Sequence, residues 1–166
     1  MDESSVETEP FRLLFVCTGN TCRSPMAEAI ARDRIQARGW RHVQVRSAGV
    51  GAMDGSPASG GALRVTEARG LDITGHRATY LTAELAEASD LILTMSRAHL
   101  RRVEDLGAGD RAAMISAFAE GSEGTEGAAG IPDPVGGPDT EYVRTFEVLD
   151  GLIDRVLGRL EQVVKP

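Results

Sequence analysis

The chain has 166 residues, 42% of them apolar, with a formal net charge of −7 and a pI near 5.0. That length suits one domain with a single core, and the acid excess argues against nucleic acid or an anionic membrane as partner, since both need a basic face. No apolar run approaches the roughly 18–20 residues that cross a bilayer, and the acidic start MDESSVETEP lacks the basic-then-apolar order of a secretion signal, so a cytoplasmic location is expected.

Residues 1–9 carry four acids, two serines and no periodicity, which reads as a disordered acidic tail ahead of a domain over residues 10–163. Phe11 to Val16 is a near-continuous apolar run, as expected of a strand buried on both faces of a parallel sheet. Ser24 as cap and Pro25 as first helical residue open a helix over residues 25–38, with Met26, Ala29, Ile30 and Ile35 on one face and Gly39 as the stop. His42 to Arg46 alternates as a second strand and ends at the turn Ser47-Ala48-Gly49. Ser56-Pro57 repeats the cap signal for a helix carrying Leu63, Val65 and Ala68 to Gly70, and Leu71 to Thr79 is a connector.

A short helix from Thr82 to Ala88 leads into Leu91 to Met95, a third buried strand. Ser96 caps a helix with Leu100, Val103 and Leu106 on one face, ended by Gly107. Ala113 to Ser116 reads as a weaker fourth strand. Ala119 to Gly137 is a long irregular segment, and long loops in compact domains are usually functional or mobile. Asp139 then caps a final helix with the stripe Val143, Phe146, Leu149, Ile153, Val156, Leu157 and Leu160. Alternating strands and helices predict a single α/β domain, a four-stranded parallel sheet flanked by helices on both faces, with ligands at the carboxyl ends of its strands.

The Cys17 loop sits at such an end. Between Cys17 and Arg23 lie Thr18, Gly19, Asn20, Thr21 and Cys22, whose backbone N–H groups can converge on one point at the start of a helix. Converging amides and the positive helix end form an anion site, and phosphate is the usual occupant. A thiol on that axis is stabilised as its nucleophilic thiolate, Ser24 can donate a hydroxyl proton to the sulfur, and Arg23 can clamp phosphoryl oxygens bidentately. Such a site performs phosphoryl transfer by positioning and charge stabilisation, without a metal or other cofactor.

A proton for the leaving group is still required. Asp133, fixed between two prolines and followed by two glycines, is the candidate acid and later the base for water. Cys22 is either a small apolar filler or a disulfide partner for Cys17. Taken alone, His76 and His99 read as ordinary hydrogen-bonded or surface histidines. No cluster of His, Cys and carboxylates has metal-ligand spacing.

The run Cys17 to Ala29, CTGNTCRSPMAEA, resembles the signature of the low-molecular-weight protein tyrosine phosphatases, and the likeness extends from about Phe11 to Leu160 through Ser47-Ala48-Gly49 and Asp133-Pro134. By resemblance, Cys17 is the nucleophile, Arg23 the phosphate clamp and Asp133 the general acid and base. Asn20, Ser47 and His76 then support the loop, Ser24 stabilises the thiolate and Cys22 is the redox partner. Tyrosine-specific members usually carry isoleucine where Thr21 stands and aromatics after the Asp-Pro pair, where this chain has Val135-Gly136-Gly137. The Thr-Cys-Arg-Ser loop, the segment Gly55 to Ser59 and Asp-Pro-x-Gly-Gly look more like the bacterial protein arginine phosphatase branch, although that branch often has phenylalanine at the Val135 position.

The resemblance thus implies hydrolysis of phosphoarginine on proteins, releasing inorganic phosphate, with phosphotyrosine as the alternative substrate. An arsenate reductase on this fold usually relays electrons through further cysteines, and only two exist here. A non-catalytic phosphate-binding or redox-sensing module needs no nucleophile or acid.

Overall fold

The computed structural model describes residues 9–121 and 128–164. The predicted acidic tail therefore lies, but for Glu9, outside the described residues, as does the middle of the long irregular segment. Four strands, β1 (Phe11–Cys17), β2 (Val43–Gly49), β3 (Leu91–Thr94) and β4 (Ala112–Met114), form one parallel sheet in the order β2-β1-β3-β4. Among the described residues six α-helices accompany them: α1 (Arg23–Ala37), α2 (Gly60–Ala68), α3 (Ala83–Glu87), α4 (Arg97–Asp105), α5 (Ile115–Glu120) and α6 (Asp139–Val164). This is the expected α/β architecture.

The pleat of β1 explains the layering. Leu13, Phe15 and Cys17 join a core with Met26 and Ile30 of α1 and with Leu149, Ile153 and Val156 of α6. Leu14 and Val16 point the other way, onto Ala86 of α3 and Val103 of α4. A strand buried on both faces has no polar side to show, hence its unbroken apolar run.

Several boundaries differ from the sequence reading. Helix α1 begins at Arg23, two residues before Pro25, and Cys22 at its N-cap makes no side-chain cap bond. Ser24 is inside the helix because its hydroxyl is engaged by the Cys17 loop. Ser47-Ala48-Gly49 is the end of β2, paired with Phe15, Val16 and Cys17. Ser59, and not Ser56, caps α2 by accepting from Ala62 N–H; Ser56 lies in a loop whose carbonyl accepts from Ala78 N–H at 2.7 Å.

The fourth strand is only Ala112–Met114, and α5 follows it at once, where the sequence suggested strand and then loop. Asp139 is the first residue of α6, where the sequence made it the cap. Tyr142, and not Val143, continues its buried stripe.

The connection after β1 runs to β2 on one side, and the next runs from β2 back across β1 to β3 on the other. The crevice beyond the carboxyl end of β1 is therefore the switch point of the sheet, where open α/β folds bind ligands. Three segments meet there: the loop from Cys17 into α1, the end of β2 and the segment before α6. Gly49 at the end of β2 has to be glycine, since a Cβ there would lie 2.4 Å from the Thr18 carbonyl oxygen and 2.9 Å from Asn20 N. The Asp133 segment is anchored by Ile131 N–H donating to the Met95 carbonyl at 2.8 Å, just past β3.

Candidate active site

Cys17 is the last residue of β1 and is buried. Its sulfur accepts from Asn20 N–H at 3.3 Å and stands 2.8 Å from the Ser24 hydroxyl oxygen. Asn20 Nδ2 donates to the same Ser24 oxygen at 2.7 Å, and the Ser24 hydroxyl has two acceptors in reach, the Ala48 carbonyl at 3.5 Å and, nearer, the sulfur. A thiolate receiving one amide and one hydroxyl donor at the N-terminus of α1 is stabilised where it stands.

Asn20 has φ +56°, the only described residue other than glycine with positive φ, and is fully buried. Asparagine tolerates that region better than most residues, and here every polar group it owns is used. Nδ2 also donates to Ser47 Oγ at 2.9 Å, Oδ1 accepts from Thr79 N–H at 2.8 Å, and the carbonyl accepts from His76 Nε2 at 2.6 Å. Ser47 passes the chain on by donating to Glu28, which also pairs with Arg32. The left-handed turn that aims the Asn20 amide at sulfur is thus braced from β2, from α1 and from the connector before α3.

Arg23 opens α1 and is 6% exposed. Its Nη1 donates to the Ile131 carbonyl at 2.9 Å and Nη2 to Thr18 Oγ1 at 3.3 Å, while Nη2 lies 3.5 Å from Asp133 Oδ2. Asp133 is partly exposed, and its other oxygen accepts from Val135 N–H at 3.1 Å in an Asx turn. A cavity of about 180 Å³ is lined by Cys17, Thr18, Gly19, Thr21, Cys22, Arg23, Asp133 and Val135. The fold therefore brings the thiol, the guanidinium and the carboxylate to one opening.

Cys22 is buried with its sulfur 3.1 Å from Ser59 Oγ and 3.4 Å from Tyr142 Oη, and Cys17 and Cys22 are both free thiols. Burial, then the bond to Cys22, raises the Tyr142 phenol above its usual range. Thr21 Oγ1 lies 3.8 Å from the Cys22 sulfur.

Four neighbours of the loop were not legible in the sequence: Ser59, Thr79, Tyr142 and above all His99. His99 in α4 is 4% exposed, and its Nε2 meets Thr18 Oγ1 at 2.8 Å across 81 residues of chain. Burial, reinforced by the Arg23 charge, lowers its pKa to about 4, so it is neutral at pH 7. A single histidine in LTMSRAHL carries no local mark of this contact. Among the described residues no group of three His, Cys, Asp or Glu is placed to hold a metal ion, and no helix is long and apolar enough to cross a membrane.

Arranged in this way, the site can hold a tetrahedral anion against the start of α1 with a thiolate behind it and a carboxylate at the mouth. Comparisons with known proteins agree with that chemistry. The family model described as low molecular weight phosphotyrosine protein phosphatase matches residues 12–165. A protein-arginine-phosphatase of Geobacillus stearothermophilus is 38% identical over 154 residues, covering 92% of this chain and 97% of that one. Low molecular weight protein-tyrosine phosphatase A of Mycobacterium tuberculosis is 38% identical over 160 residues, covering 92% and 96%.

Among solved structures, a YwlE arginine phosphatase variant, with its active-site cysteine replaced by a serine that is phosphorylated, superposes with a TM-score of 0.83 at 33% identity, covering 91% of this chain and 96% of that one. A low molecular weight protein tyrosine phosphatase of T. tengcongensis gives 0.81 at 41% identity, covering 90% and 99%.

Proposed function

The chain belongs to the low molecular weight phosphotyrosine protein phosphatase family and is a metal-independent phosphatase, and from that premise we propose that it hydrolyses phosphoarginine on proteins. The Cys17 thiolate attacks phosphorus, the P–N bond breaks, and Asp133 delivers a proton to the departing guanidine nitrogen. Asp133 then takes a proton from water as the water oxygen attacks the phosphocysteine, the S–P bond breaks, and inorganic phosphate leaves with Cys17 restored. The loop amides and Arg23 hold the three outer oxygens throughout, while Asn20, Ser24, Ser47 and His76 keep the loop in shape. The YwlE relative with a phosphorylated active-site serine supports attack on phosphorus by the side chain at that position.

The observation that carries the choice of arginine is the wall of the cavity. None of its eight lining residues is aromatic, and a phenyl ring would find no ring to stack on. Thr21 instead offers a hydroxyl and Asp133 a partly exposed carboxyl group beside Arg23, whose oxygens can accept from the N–H groups of a guanidinium. A second reading, phosphotyrosine, draws on the mycobacterial tyrosine phosphatase, as similar as the Geobacillus enzyme at 38% identity.

Matched peptides differing only in phosphoarginine or phosphotyrosine distinguish the two. A kcat/KM ratio of at least about 10 in favour of phosphoarginine is expected, the effect of one recognition difference of about 1.4 kcal/mol. Thr21→Ile should move that ratio toward phosphotyrosine. A tyrosine preference in the unaltered enzyme would overturn the arginine reading.

A further inference from the structure

His99 is a buried group, its pKa well below the ordinary value, that the reaction above leaves unused. It lies in the first turn of α4, its N–H capped by Ser96 Oγ at 3.3 Å. The Thr18 side chain is fixed from three directions. Its methyl faces Gly51, with Cγ2 3.8 Å from where a Cβ on that glycine would stand, and its oxygen meets Arg23 Nη2 at 3.3 Å and His99 Nε2 at 2.8 Å. Arginine can only donate, so the Thr18 oxygen accepts there. Two assignments remain for the histidine.

If Thr18 donates to Nε2, the ring proton sits on Nδ1, which is buried and meets no partner among the described residues. A buried N–H left unpaired is rare in folded proteins. If Nε2–H donates to Thr18, Nδ1 carries only a lone pair. The Thr18 oxygen then accepts twice, from Arg23 and from His99, and its own proton takes the remaining direction, on a residue that lines the cavity.

We propose that His99 is a positioning residue that, as the Nε2–H tautomer, turns the Thr18 hydroxyl into a further donor to the bound phosphoryl group. The neutral state this requires agrees with burial and the Arg23 charge, which hold the imidazole uncharged at pH 7. The phosphate then receives a neutral, preorganised O–H beside the loop amides and Arg23, and the orientation of that group is set from α4. This rests on the reading that the loop binds phosphate, and it does not depend on whether arginine or tyrosine carries the phosphoryl group.

Two measurements on the full chain test it. Nitrogen-15 NMR of the labelled imidazoles at pH 7 should show His99 protonated at Nε2 and bare at Nδ1; a proton on Nδ1 overturns the assignment. Calorimetric binding of inorganic phosphate should weaken about 10-fold in Thr18→Val, the loss of one hydrogen bond to a charged group. His99→Leu should weaken it comparably, and Thr18→Ser and His99→Gln, which keep the O–H and N–H donors, should recover most of the loss.

The double variant Thr18→Val with His99→Leu should bind phosphate within about 2-fold of Thr18→Val alone, because both remove one bond. Independent, multiplying losses, or a Thr18→Val that binds phosphate like the unaltered protein, would overturn the proposal. Failure of the unaltered protein to bind phosphate at all would instead overturn the reading of the loop. The NMR assignment needs no substitution, so it stands even if His99→Leu does not fold.

Discussion

Replacing Asn20 by alanine should destabilise the protein by about 3–4 kcal/mol. Three side-chain hydrogen bonds disappear, to Ser24 and Ser47 and from Thr79 N–H, at 2.7, 2.9 and 2.8 Å, each contributing about 1 kcal/mol net when buried. Alanine at φ +56° adds about 1 kcal/mol of backbone strain. For a chain of this size that loss lowers Tm by roughly 6–16 °C, readable by urea and thermal unfolding.

Asn20→Gly separates the two contributions. It loses the same hydrogen bonds but accepts the left-handed backbone freely, with some loss offset by greater freedom when unfolded. Glycine should therefore be less damaging than alanine, by up to about 1 kcal/mol. Catalysis should fall in both, because the Asn20 amide no longer has a fixed aim at the Cys17 sulfur. An alanine variant within about 1 kcal/mol of the unaltered protein, or a glycine variant clearly worse than alanine, would refute the bracing role given to this residue.

Asp133→Asn should lower kcat about 100-fold or more with KM changed only a few-fold, since a general acid acts in the transition state and the carboxamide keeps the shape; steady-state kinetics on a phosphoarginine peptide checks this. Stability should depend on His99 at mildly acid pH. Its folded pKa, about 4, lies below the ordinary 6.5, so the unfolded chain takes the proton first. The contribution is complete above about pH 6.5 and is lost as pH falls toward about 4, by up to about 3 kcal/mol at 1.4 kcal/mol per pH unit. Urea unfolding of the unaltered protein and His99→Gln across that window should show the difference in slope; parallel curves would contradict it.

The parts of the fold written in local pattern were legible. Buried strands β1 and β3 announce themselves as apolar runs, and Ser96 caps the helix that follows it by accepting from the N–H three residues on, as Thr82, read as the first residue of its helix, also does. Where a local signal competed with tertiary contacts, the contacts won. Ser24-Pro25 has the look of a helix start, yet Ser24 serves the Cys17 sulfur and the helix begins earlier. Ser56-Pro57 has the same look, but backbone pairing with Ala78 holds it in a loop and leaves Ser59 to cap.

The site divides in the same way. Cys17, Arg23 and Ser24 lie within eight consecutive residues, so their spacing alone suggests the chemistry proposed for them. Asp133 was reachable because prolines and glycines around it mark a loop built to approach a ligand. His99 and Tyr142 meet the loop only through the packing of α4 and α6, across 81 and 120 residues. Nothing in their immediate neighbours records such a contact.

The central claim is that Cys17 accepts the phosphoryl group from arginine, and rapid quenching of the unaltered enzyme with a phosphoarginine protein tests it most directly. Digestion and mass spectrometry should find one phosphoryl group on the peptide bearing Cys17, held on that sulfur and not on Cys22, appearing before free phosphate and absent in Cys17→Ala. Release of phosphate from phosphoarginine with Cys17 unmodified throughout, or undiminished turnover by Cys17→Ser, would contradict the account.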